Sequence, residues 1–431
     1  MAISGRVGVC ALVGVVVVAL GVPSWTGVLA VLALLCLGIL VDLALAGGVR
    51  ALTFTRGGVT AARLGEDVEV TLTVTNPGRR RVRGTIRDAW PPSAGITRDR
   101  YPIAVAPGGR QVFTVRLRPS RRGERAADRV TVRSTGPLGL AARQGSHRVP
   151  WTVRVLPPFH SRKHLPSRLA RLQQLDGRQA ALVRGEGTEF DSLREYVIGD
   201  DVRSIDWRAT ARAADVMVRT WRPERDRHLM LVLDTGRTSA GRVGDAPRLD
   251  AAMDAALLLA ALASRAGDRV DLLAYDRRLR AKVAGASGGE LLPSLVDAMA
   301  PLEPDLVETD ARGLVAEVLR RAGRRSLVVL LTGLEAAPLE EGLLPVLPSL
   351  TARHRLLLAS VGDPRLAEMA RARGDAEAVY DAAAAERTLA ERRHVTALLA
   401  RHGVDVVDAL PDDLPSALAD RYLALKAAGR L

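Results

Sequence analysis

Cysteine is almost missing from these 431 residues, and the two that occur, Cys10 and Cys36, both lie in an apolar N-terminal stretch. That excludes a disulfide framework and a thiolate metal site, and it agrees with a reducing compartment. Aromatic residues make up only 3% of the chain, and none interleave with basic residues into a platform on which nucleobases could stack. Lysine is equally scarce: Lys163, Lys282 and Lys426 are the only three among 62 basic residues. The net charge of +14 therefore comes from arginines scattered along the chain, and nucleic acid is not an expected partner. Anionic lipid headgroups are a simpler use for that charge, above all for Arg50, Arg56 and Arg63 just after the apolar stretch. A nucleophile elbow, a phosphate loop and a His-carboxylate cluster are also lacking. His160 and His164 have helical i, i+4 spacing, but Arg162 and Lys163 stand between them and no Glu follows the first, so zinc is not expected.

What the chain does have begins with residues 7–46, which hold a single charged side chain, Asp42. The interruption at Gly21-Val22-Pro23-Ser24-Trp25 predicts two helices, 7–22 and 27–46, forming a transmembrane hairpin within residues 1–50, because one span needs about 20 apolar residues. A cleaved signal peptide is the rival reading, but Arg6 is the only preceding charge and a second apolar segment follows at once. Arg6 lies before the pair, and Arg50 and Arg56 after it. The positive-inside bias thus places both ends, and everything C-terminal, in the cytoplasm. Trp25 would then sit at the outer interface, and Asp42 is expected to snorkel to headgroup water at the inner one.

Residues 51–156 change to short alternating runs, clearest at 68–76, 110–119 and 129–135, each bounded by Gly, Pro or Asn. This predicts an all-β sandwich of immunoglobulin-like type. The turns Arg121-Arg122-Gly123 and Pro137–Leu140 read as turn chemistry, and Arg79–Arg81 as a solvated hairpin tip.

Residues 157–227 form a linker, helical around 167–183, followed by a block in which carboxylates and guanidiniums alternate: Glu189, Arg194, Asp200, Arg203, Asp206 and Arg212, with Tyr196 and Trp207 among them. The block is either a buried ion-pair clamp anchored by Trp207 or a docking face for a partner. Clamp behaviour is expected of Trp207 and Asp206, and greater exposure of Arg194 and Arg212. From 228 to 431 apolar strands (228–234, 270–275, 326–332, 355–361, 404–408) alternate with helices (249–266, 290–300, 310–322, 339–352, 364–373, 383–402, 412–428). That order specifies a Rossmann-like α/β domain with a parallel sheet. Ligands of such sheets sit at the carboxyl ends of the strands, here Asp234, Thr309 or Asp310, and Thr332.

The charged block, followed by an apolar strand and Asp234-x-Gly236-x-Thr238, resembles a bacterial family known as domain of unknown function 58. The resemblance implies a membrane-anchored protein whose α/β domain is of von Willebrand factor A type and whose partner is a MoxR-type AAA+ ATPase. It also implies a hard divalent cation such as Mg²⁺ at Asp234, Thr238, Thr309, Asp310 and Thr332. Gly236 and Gly333 stand where a hydroxyl and a carboxylate would be needed, with Glu335 two residues on, so a degenerate site without tight metal binding is expected. The leading expectation is a non-enzymatic adaptor in protein remodelling or complex assembly. A metal-dependent hydrolase is the first alternative, and a cell-surface adhesion protein the second.

Overall fold

A computed structural model describes residues 2–21, 23–182, 189–198, 200–213, 215–222, 227–322 and 325–430, with only the backbone at 176–182, 189–191 and 220–222. The chain divides into two compact units, Met1–Leu156 and Pro157–Leu431.

The first unit opens with β1 (Ala2–Ile3), α1 (Gly5–Gly21) and α2 (Trp25–Leu45). Among the described residues α2 is the helix long and apolar enough to cross a membrane, and α1 is a shorter apolar helix beside it. Ser24 starts α2 by accepting the Gly27 amide. Eight strands follow: β2 (Thr53–Gly58), β3 (Ala61–Arg63), β4 (Val68–Thr75), β5 (Val82–Asp88), β6 (Arg100–Val105), β7 (Arg110–Leu117), β8 (Gly123–Thr135) and β9 (Ala141–Leu156). They make a six-stranded sheet, β1-β9-β8-β5-β6 with β3 beside β9, and a three-stranded sheet, β2-β4-β7. Period-2 burial drives this, as on β4, where Val68, Val70, Leu72 and Val74 are buried and the residues between them are not. Leu72, Val74 and Phe113 of one sheet pack against Ile86, Ile103, Val130 and Val132 of the other.

Three expectations fail in this unit. Asp42 does not snorkel: it is fully buried and accepts the amides of Leu138 (2.7 Å), Leu140 and Ala141 (3.0 Å) from the β8–β9 turn. A Cβ at Gly136 would overlap Asp42, which explains glycine there. Arg80 and Arg143 reach the last carbonyls of α2, Ala44 and Leu43, so Arg80 is more than a solvated tip. Nor is Arg56 available to lipids. Its guanidinium is buried in an ion pair with Asp88, which also takes the Trp90 indole N–H, and its Nε donates to the Val149 carbonyl. Arg50 does remain exposed.

The second unit begins with a 3₁₀ turn (His160–His164) and α3 (Leu165–Leu182). A separate two-stranded antiparallel hairpin follows, β10 (Glu189–Glu195) and β11 (Met217–Arg222), with the short α4 (Trp207–Thr210) in its loop. Then come β12 (His228–Asp234), α5 (Arg237–Ala240), a small hairpin of β13 (Arg242–Val243) and β14 (Ala246–Pro247), and α6 (Arg248–Arg265). Next are β15 (Arg269–Tyr275), β16 (Leu279–Val283), α7 (Leu291–Met299), α8 (Ala311–Arg321) and β17 (Ser326–Leu331). The chain closes with α9 (Leu347–Thr351), β18 (Arg355–Val361), α10 (Pro364–Met369), α11 (Ala376–Arg401), β19 (Asp405–Ala409) and α12 (Leu414–Ala427).

The sheet order is β16-β15-β12-β17-β18-β19, parallel except for β16, which runs antiparallel at the edge and was not foreseen. Helices cover both faces. Residues of α8, α9 and α11 pack on Met230, Val232, Val328 and Leu330, while α6 and α12 lie against the alternate side chains. The single helix expected over 339–352 is a π-helical turn, Pro338–Leu343, and then α9, because Pro345 and Pro348 cannot donate amides to a continuous helix.

Candidate functional site

Taken in order of appearance, the strands of the second sheet run 3-2-1-4-5-6. From β12 the chain moves to one side through β15 and later to the other through β17, so the carboxyl ends of β12 and β17 flank the crevice where α/β sheets bind ligands. A cleft of about 280 Å³ opens there. Asp234, Thr238, Thr309 and Thr332 are among its lining, with apolar walls that include Leu314, Leu330, Leu339 and Leu343.

The side chains that the sequence pointed to do converge. Asp234 is 4% exposed. Its Oδ1 accepts the Gly236 amide (2.8 Å) and the Thr309 hydroxyl (2.5 Å), and its Oδ2 accepts the hydroxyls of Thr238 (2.9 Å) and Thr332 (2.5 Å). Asp310 does not join them. Its carboxylate caps α8 by accepting the Gly313 amide at 3.0 Å, and it is absent from the cleft lining.

A hard cation takes about six oxygen ligands, several of them carboxylates. Of the three carboxylates in the cleft lining, Asp234 is the one that meets the three hydroxyls; Glu308 is paired with Arg237, and Glu341 stands on the π-helical wall. Glu335 folds back over Gly333 and pairs with Arg248 instead of entering the cleft. At Gly236 a Cβ would overlap Thr309 Oγ1 and lie 2.9 Å from the Val307 carbonyl, so the missing hydroxyl has no room. Among the described residues no group of three or more His, Cys, Asp or Glu could hold a metal. The donor set does not fit Mg²⁺.

The charged block forms the β10–β11 hairpin, a structure its charges had hidden. Arg194 pairs with Asp200 at 2.5 Å and Arg219 with Asp206 at 2.7 Å. Asp206 also caps α4 through the amides of Arg208 (2.9 Å) and Ala209 (3.0 Å). These contacts hold both carboxyls below the usual carboxylate range: the Arg194 hydrogen bond foremost for Asp200, the Ala209 amide and then Arg219 for Asp206. Tyr196 donates its amide to the Val216 carbonyl, which extends the hairpin. The side chain of Glu189 lies outside the described residues.

The expected buried anchor is not found: Trp207 is 70% exposed and Ile198 97%, with Val197 and Val202 exposed as well. Among the described residues the guanidiniums of Arg203, Arg208 and Arg212 are exposed and make no ion pair. Arg194, of which greater exposure was expected, is half-buried and paired with Asp200.

Sequence reasoning missed a Ser-His-Asp arrangement. His228 Nδ1 lies 2.8 Å from Ser326 Oγ, and its Nε2 2.9 Å from Asp271 Oδ2. The spacing in the chain gave no signal for it, since three separate strands bring the groups together. Ser326 is 2% exposed and the cluster sits at the amino ends of the strands, opposite the ligand-binding edge, so we assign it to cross-strand pairing.

Residues 192–401 match the family model described as Protein of unknown function DUF58. Uncharacterized proteins of Mycobacterium bovis and Mycobacterium tuberculosis are 28% identical over 197 residues, 45% of this chain and 61% of theirs. The match thus spans less than two thirds of these curated relatives. Among solved structures, a CARDB domain from Pyrococcus furiosus aligns with 24% of this chain and 91% of its own at 15% identity and a TM-score of 0.18. A β-glucosidase from Listeria innocua aligns with 24% of this chain and 16% of its own at 15% identity and a TM-score of 0.16. Likeness at that level carries no argument.

Proposed function

We propose that the whole chain is a member of the DUF58 family and works as a membrane-anchored, non-enzymatic adaptor for a MoxR-type AAA+ ATPase in protein remodelling or complex assembly. In this reading α1 and α2 form a two-span hairpin with both ends in the cytoplasm. The β unit is an immunoglobulin-like spacer, and the domain from β12 onward is of von Willebrand A type with its metal site lost. The topology reading fails if a reporter fused at Leu431 faces outward.

The observation that carries the proposal is the exposed Trp207. A tryptophan left 70% in water on a hairpin whose own ion pairs already hold its shape has no structural duty there. Exposed aromatic and arginine side chains dominate binding energies, and Ile198, Val197 and Val202 add apolar area near them. The unpaired Arg203, Arg208 and Arg212 favour an acidic surface on the ATPase.

Affinity capture of the full-length protein with ATP present tests this. Trp207→Ala should lower recovery of the ATPase at least tenfold, while changing stability by no more than about 0.5 kcal/mol, as for surface substitutions. Undiminished capture, or a protein that unfolds, overturns the docking role.

A further inference from the structure

Asp234 carries a buried negative charge with no positive counterpart. It is 4% exposed, and among the described residues no Arg, Lys or His lies within ion-pair distance of it. Its four hydrogen-bond donors, the Gly236 amide and the hydroxyls of Thr238, Thr309 and Thr332, satisfy its lone pairs but bring no net charge. Buried charges are ordinarily paired or neutralised, so this one calls for a cation. Each threonine has one proton and has committed it to the carboxylate, so what remains on those three oxygens is acceptor capacity.

We propose that the cleft is a site for a primary alkylammonium ion, whose protein form is a lysine side chain. Three features select this ligand over other cations. An ammonium has three N–H donors and no acceptor, which matches three hydroxyl oxygens supplied from three directions by α5, the segment before α8, and the end of β17. A guanidinium is a flat fork that seeks the free edge of a carboxylate, and both Asp234 oxygens are already engaged twice. A hard divalent ion needs further carboxylates beside Asp234, whereas Asp310 caps α8, Glu335 pairs with Arg248, Glu308 pairs with Arg237, and no group of three or more His, Cys, Asp or Glu gathers among the described residues.

The walls suit the stem of such a ligand. Leu314, Leu330, Leu339 and Leu343 line the cleft above the polar floor and would cover four methylenes while the charged head reaches Asp234. Of the other charged side chains in the lining, Glu308 and Arg237 offset one another in an ion pair at 2.7 Å, and Glu341 on the π-helical wall adds a negative charge. One wall is the π-helical turn Pro338–Leu343, a departure from α-helix that recurs at functional sites. The inference is independent of the Trp207 hairpin and of any ATPase partner.

The test uses full-length protein in detergent with EDTA, and Nα-acetyl-lysine methylamide as the probe, followed by saturation-transfer NMR and thermal shift. Nα-acetyl-norleucine methylamide, which lacks the ammonium, is the control. The lysine probe should bind at least tenfold more tightly than the control, and Asp234→Asn should abolish the difference. Thr332→Val, which keeps the side-chain shape, should weaken the lysine probe several-fold and serves if Asp234→Asn does not fold. Equal binding of the two probes, no binding of either, or variants that bind like wild type would overturn the proposal. So would a micromolar Kd for Mg²⁺ that depends on Asp234 and displaces the probe.

Discussion

Replacing Asp42 by alanine removes a carboxylate that is fully buried and holds three backbone amides, those of Leu138, Leu140 and Ala141. A buried donor left without a partner costs about 1–3 kcal/mol, which would sum to as much as about 9 kcal/mol for three. The turn will relax, however, and Leu138 is 50% exposed, so water can reach part of it. We therefore expect about 3–5 kcal/mol, the range for breaking a buried charged network. Since 1.4 kcal/mol is a factor of ten, local opening of the turn should become roughly two to three and a half orders of magnitude more frequent. Hydrogen exchange of the full-length protein in detergent, read on peptides spanning 136–142, measures this directly. Exchange should accelerate there and not in the middle of β8 or β9. Asp42→Asn keeps one acceptor oxygen but turns an NH₂ toward the amides, so it should recover less than half of the protection. Unchanged exchange in Asp42→Ala would mean that the carboxylate does not hold the turn and that the geometry has been misread.

Asp88→Ala should destabilise the β unit by about 3–5 kcal/mol, because Arg56 is left charged and buried without its partner; urea unfolding of the full chain checks it. Burial pushes the Asp254 carboxyl above its ordinary value, although Ser161 donates to it. The folded state thus holds a proton that the unfolded state releases, and stability falls as pH rises from the usual carboxylate range, about 3.9, through the raised value. Asp254→Asn should raise the melting temperature at pH 7 and flatten that slope, and a difference from wild type that is constant across pH 4–7 would refute it. Gly236→Ser, the change that restores a hydroxyl to the strand-end loop, should destabilise by about 1–3 kcal/mol through crowding against Thr309 and should not create Mg²⁺ affinity by calorimetry.

The strand-end site was legible in the sequence because long apolar runs fix where a buried strand ends, and the polar residues after each run must then gather along one edge of the sheet. Asp234 and Thr332 follow from that, with Thr309 or Asp310 left as alternatives, whereas Thr238 was indicated only by the family resemblance. Asp310 misled because a residue next to a cleft residue can as easily cap the following helix. The β10–β11 hairpin stayed hidden because its stability comes from ion pairs and backbone pairing rather than apolar alternation, and alternating charge reads equally as clamp or surface. Asp42 and Arg56 were misplaced for one shared reason. Their partners lie 96 and 32 residues away, and a charged side chain with an unseen partner is assigned to water by default.

The order of synthesis bears on α6. Fourteen of its 18 residues are buried, among them Leu257, Leu258, Leu259 and Leu262, and much of that cover is α12. While the chain is being made, α6 leaves the ribosome about 150 residues before its cover, at roughly 5–20 residues per second. For roughly 8–30 seconds a largely apolar helix is half-clothed in a molecule that begins with membrane-type segments. Lys426 and Tyr422, which bond to Asp268, act as a latch made after every strand of the sheet. A chain stopped before residue 414 would keep every strand of the sheet and still leave that face of α6 open.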